Sequence, residues 1–117
     1  MKREYIQKNV YEAVQERFDF LFREFENIYV SFSGGKDSGL LLNLLLAFKR
    51  TYYPQRTVGV FHQDFEAHYT VTTEYVTKTF ERLESEVDPY WVCLPMAPRT
   101  VLSSYAMLWS PWGDRPP

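Results

Sequence analysis

The chain has 117 residues, 45% of them hydrophobic and 24% charged, and a formal net charge of −2 at pH 7. That is one domain's worth of chain, too apolar for a disordered segment, and its charge argues against a general nucleic-acid binder. The single cysteine, Cys93, excludes an intrachain disulfide and cannot by itself build a zinc or iron–sulfur site.

A reducing, cytoplasmic setting fits that cysteine usage. The chain opens on Lys2, Arg3 and Glu4 with no apolar run behind them, so no secretory signal is expected. The apolar run from Leu40 to Phe48 is broken by Asn43 and is too short to span a bilayer.

Taken in chain order, residues 1–9 read as an N-terminal arm. Val10, Val14, Phe18, Leu21, Phe22 and Phe25 recur at helical spacing and predict an amphipathic helix over residues 10–26, with Asn9 as N-cap and Glu12 in the capping-box place. Residues 28–32 (IYVSF) are β-branched and aromatic, as in a buried strand. Residues 37–49 carry apolar side chains nearly all round, the pattern of a helix sandwiched in a core. Tyr53, Pro54 and Gln55 predict a turn, and residues 57–61 (TVGVF) a second strand with Gln63 and Asp64 just past its end. Tyr69, Val76, Phe80 and Leu83 mark a helix over residues 67–85, broken by Asp88 and Pro89, and residues 90–94 (YWVCL) a third strand. A proline- and tryptophan-rich tail over residues 97–117 has room for one short helix, about residues 99–108.

Strands alternating with helices predict an α/β fold: a parallel sheet with right-handed crossovers and helices on both faces. The whole chain reads as a single domain, its core spanning residues 10–96.

Between the first strand and the second helix stands Ser33-Gly34-Gly35-Lys36-Asp37-Ser38. A strand, a glycine turn and a helix N-terminus make an anion site, because first-turn amides lack acceptors and the helix dipole is positive there. Gly34 and Gly35 let the backbone turn and approach a phosphate, Ser33 and Ser38 add hydroxyls, and Lys36 adds a charge. Asp37 suits a Mg²⁺ ion or an orienting acceptor. The Walker A pattern fails at Val30 and Asp37, and the G-x-G-x-x-G fingerprint fails as well.

The six residues resemble in full the SGGxDS pyrophosphate loop of the N-type ATP pyrophosphatases and the phosphoadenosine phosphosulfate (PAPS) reductase family. Asp64-Phe65-Glu66, Thr72-Thr73-Glu74-Tyr75 and residues 91–96 (WVCLPM) are similar to a PAPS reductase-like subgroup of phages, plasmids and bacterial genomes. The likeness covers roughly residues 9–112, and this chain looks like the N-terminal part of a longer member.

The resemblance implies a Rossmann-like, HUP-type sheet, truncated here, that binds ATP or PAPS. The loop would hold phosphates, and Gln63 and Asp64 would lie on the adenosine side. Mg²⁺ would sit near Asp37 and Asp64, and Lys36 and Asp37 would act in any α-phosphate chemistry that releases pyrophosphate. The alternative is a non-catalytic module that retains the loop and acts with a protein partner such as a ParB-like protein.

Open parallel sheets bind ligands beyond the carboxyl ends of their strands. The segments 33–38, 63–66 and 94–96 should therefore meet on one edge.

His62, Asp64, Glu66 and His68 alternate like metal ligands on one strand face, but a polar loop leading into a helix, with Asp64 or Glu66 near its N-terminus, explains them better. Cys93, among Trp91, Val92 and Leu94, reads as a small core hydrophobe rather than a redox nucleophile. Glu81, Glu84, Glu86 and Asp88 read as a solvated helix face and its end. Arg99, Trp109, Trp112 and Arg115 read as a tail packing on this domain or on a second subunit, which makes homo-oligomerisation or a protein partner the expectation and nucleic acid not.

Overall fold

The computed structural model describes residues 2–66, 68–96 and 112. Helix α1 spans Val10–Glu24, and the Asn9 side chain caps it by accepting from the Glu12 amide at 2.8 Å. Strand β1 (Tyr29–Ser31) leads through the glycine turn into α2 (Lys36–Tyr52). Strand β2 (Val58–Gln63), α3 (Thr70–Arg82) and β3 (Val87–Val92) follow. The three strands form one parallel sheet in the order β1-β2-β3, with Val30 opposite Val60 and Gln63 opposite Val92. The α/β reading and the order of elements therefore hold.

Pleating turns Val58, Val60 and His62 of β2 to one face, and all three are fully buried. The core forms there, joining Val30 and Phe32 to Leu42, Leu45 and Leu46 of α2, Val76 of α3 and Val87 of β3. Helix α1 packs on α2 rather than on the sheet: Phe18 and Phe22 meet the Phe48 ring, and Phe22 stacks on Tyr53 at 5.0 Å. Arg56, just before β2, fastens α1 by donating to the carbonyls of Phe22, Phe25 and Glu26 at its C-terminal end.

The expectation of helices on both faces is corrected. Among the described residues, α2 and α3 share one face. On the other, Tyr29 lies over Gly59 and against Tyr90, and both tyrosine side chains remain substantially exposed. The order β1-β2-β3 explains this, because two right-handed crossovers in the same direction put both helices on the same side. Helix α2 is accordingly not sandwiched: Leu40 and Leu41 are exposed.

The third strand begins earlier than expected. Asp88 and Pro89 lie within β3, whose position at the sheet edge tolerates a residue without an N–H. Cys93 consequently falls beyond the strand and is exposed, so its reading as a core residue is corrected. The acidic run is also not one solvated helix face: Glu84 and Glu86 lie in turns, and Glu86 pairs with Arg50. The short helix expected at residues 99–108 lies outside the described residues.

Candidate functional site

Parallel pairing carries the ends of all three strands to one edge. The Phe32 amide donates to the Phe61 carbonyl at 2.7 Å, and the Asp64 amide to the Val92 carbonyl at 2.8 Å. Gln63 Nε2 reaches Met96 Sδ at 3.5 Å. The glycine loop, the segment after β2 and the segment after β3 are thus neighbours, as the strand–helix alternation predicts.

The loop is held by its own serines. Ser38 Oγ donates to the Gly35 carbonyl at 3.2 Å, so the 2.9 Å contact between the two hydroxyls is a bond from Ser33 to Ser38. Ser33 Oγ in turn accepts from the Gly35 amide, and Ser38 Oγ from the Ser33 amide. Both hydroxyl protons are engaged inside the loop, where the serines act as struts. Gly35 is the N-cap residue of α2 and supplies no side-chain cap. The first-turn amides of Lys36, Asp37 and Ser38 therefore have no acceptor within the helix, beside the Lys36 ammonium.

Gly34 is left-handed (φ 89°), and a Cβ there would come within 2.9 Å of both Thr72 and Val76 methyls. Gly39, one turn into α2, leaves room for the Tyr75 hydroxyl, 3.5 Å from where a Cβ would stand. The first turns of α3 thus buttress the loop. Thr72 and Tyr75 belong to a stretch that stood out in the sequence, but only the fold shows what it presses on.

His62 supports the loop from below. It is fully buried, and its Nδ1 lies 2.8 Å from the Phe32 carbonyl, immediately before Ser33. A carbonyl only accepts, so Nδ1 carries the proton. The other ring nitrogen is buried without a hydrogen-bond partner among the described residues. The ring also meets Trp91 edge-on at 4.7 Å. The alternation of His62, Asp64, Glu66 and His68 ends with the strand at Gln63, and among the described residues no three potential ligands converge on a metal position. The first turn of α3 itself holds no acidic residue.

Asp64 instead organises its loop. One carboxylate oxygen accepts from the Glu66 amide at 2.7 Å, the other from the Trp91 indole at 3.0 Å. Glu66 itself is left-handed at φ 69°. Trp112 closes over the same loop, its indole donating to the Asp64 carbonyl at 2.6 Å and its amide to Glu66 Oε2 at 3.0 Å. This part of the tail packs on its own domain, while Arg99, Trp109 and Arg115 lie outside the described residues. Although Cys93 is exposed, partial desolvation by its neighbours pushes its thiol up and Asp64 adds to that, which disfavours the thiolate a redox nucleophile needs.

Fold and site together define an α/β protein with an uncapped helix N-terminus opening at the carboxyl edge of a parallel sheet. The chain is 35% identical over 105 residues to the uncharacterized protein YbdN of Escherichia coli strain K12, a match covering 89% of this chain. It spans about a quarter of the length of that relative (25%). No protein-family model matches the chain, and no solved structure matches it. Among the described residues, no helix is long and apolar enough to cross a membrane.

Proposed function

We propose that the chain is an adenine-nucleotide-binding domain of the PAPS reductase-like and N-type ATP pyrophosphatase superfamily, with a HUP-type sheet. The observation that carries this reading is the complete Ser33–Ser38 loop, folded as strand, left-handed glycine and uncapped helix start. The amides of Lys36, Asp37 and Ser38, with the Lys36 ammonium, bind and orient the phosphates and stabilise charge that develops on them. Gln63, on the neighbouring strand end, faces the adenosine side. Cys93 takes no part.

Asp37, with no hydrogen-bond or ion-pair partner among the described residues, has the free carboxylate that would hold Mg²⁺. Asp64 fits that role less well, since both its carboxylate oxygens already accept protein hydrogen bonds. Bound there, Mg²⁺ would neutralise phosphate charge.

Calorimetric titration with ATP and with PAPS tests the reading. The wild type is expected to bind at least one of the two, with Lys36→Ala weakening it tenfold or more, roughly the worth of one charge-assisted contact. A folded chain that binds neither nucleotide sinks the proposal. ATP–pyrophosphate exchange then separates an adenylyl-transferring enzyme from a module that binds without turnover and acts through a protein partner.

A further inference from the structure

At the opposite end of the sheet lies a second polar hollow of about 460 Å³, between the C-terminal end of α2, the turn before β2 and the entry to β3. Three cationic side chains line it, Lys49, Arg50 and Arg56, against one carboxylate, Glu86. That carboxylate is committed: Arg50 grips it with two bonds, Nε to Oε1 at 2.8 Å and Nη2 to Oε2 at 2.5 Å. The Arg56 guanidinium, over the Phe22 ring, donates to carbonyls at the end of α1, which order it and carry no full negative charge.

Lys49 is the telling residue. The residue is only 5% exposed, yet its ammonium makes a single long contact of 3.5 Å, to the Pro54 carbonyl. An ammonium carries three donors, and this one fills only one of them within the protein, although the charge of Glu86 is near by. Gln55, Thr57 and Ser85 add more donors to the walls, and no aromatic ring lines the hollow.

We infer that this hollow is a binding site for a compact oxyanion, of the size of phosphate or pyrophosphate, held by Lys49 with Arg50 and Arg56. Donors on several sides and surplus positive charge match such an ion. The absence of a stacking surface among the lining residues argues against a nucleoside there. The site stands apart from the Ser33–Ser38 loop, being at the other edge of the same sheet, and does not depend on the nucleotide reading.

Amide-resolved NMR during a titration with pyrophosphate, in phosphate-free buffer, reads both edges of the sheet separately. Saturable shifts are expected at the Gln55, Thr57 and Ser85 amides, absent in a chloride titration of matched ionic strength. A parallel titration with inorganic phosphate shows which of the two ions the hollow prefers. Gln55→Glu, an exposed and nearly isosteric change that adds a negative charge, should weaken the binding by roughly tenfold. Lys49→Met should weaken it at least as much, while both variants leave any shifts at residues 33–38 unaltered. Shifts confined to residues 33–38, shifts equal in chloride, or pyrophosphate binding indifferent to Gln55→Glu would each overturn the inference.

Discussion

Gly34 shows how much a single position carries. Its backbone is left-handed, and the space where a Cβ would stand is taken by the methyls of Thr72 and Val76. Gly34→Ala combines a backbone penalty of about 1–2 kcal/mol with an overpacking penalty of about 1–3 kcal/mol. We expect a loss of about 2–5 kcal/mol, read as a lowered urea midpoint with an unchanged m-value. Gly59 differs in kind. A Cβ there would stand 2.1 Å from the Tyr29 ring, but Tyr29 is 58% exposed, so its ring can give way at the cost of its contact with Tyr90. Gly59→Ala and Tyr29→Ala should therefore be non-additive by about 0.5–1 kcal/mol in a double-mutant cycle, and strict additivity would refute this packing.

At the scale of elements, the attachment of α1 is the most exposed to a single change. It packs on α2 through Phe18 and Phe22, and its C-terminal carbonyls converge on Arg56, whose guanidinium also sits 5.2 Å from the Phe22 ring centroid. Hydrogen bonds from a charged donor are worth about 1.5–3 kcal/mol. Arg56→Ala should cost about 2–3 kcal/mol, and hydrogen exchange should show α1 losing protection before β2 does. Much of this element was legible beforehand: the 3.6-residue period and Asn9 placed α1 to within two residues, because periodicity and caps are local properties. Arg56 was not, since nothing nearby in the chain says that a residue before β2 will cap a helix about thirty residues upstream. Likewise Asp88-Pro89 reads locally as a breaker, and only its place on an edge strand makes it part of β3.

Across the whole molecule, Arg50 and Glu86 tie the end of α2 to the entry of β3. The bond from Arg50 holds the Glu86 carboxyl below its ordinary value of 4.5, with the charges of Arg50, Lys49 and Arg82 assisting. A carboxyl whose folded pKa is depressed adds stability that is present above its unfolded pKa. That stability drains away as pH falls through the folded value. Wild type should therefore lose more stability than Glu86→Gln on acidification below 4.5, as followed by thermal midpoints; equal losses would show the pair idle. The pair is partly solvent-exposed, so the difference should shrink in high salt.

What the linear order of residues determined here was local: the alternation of helix and strand, the glycine turn at Ser33–Ser38 leading into a helix start, and the edge on which that turn would open. Each follows from side-chain period, glycine content and the direction of parallel strands, all of which short windows of chain express. Tertiary structure alone decided that α3 braces Gly34, that His62 sits beneath the loop, that Asp64 binds Trp91, and that one sheet face lacks a helix among the described residues. These depend on contacts between segments far apart in the chain, and nothing in either segment alone specifies its partner.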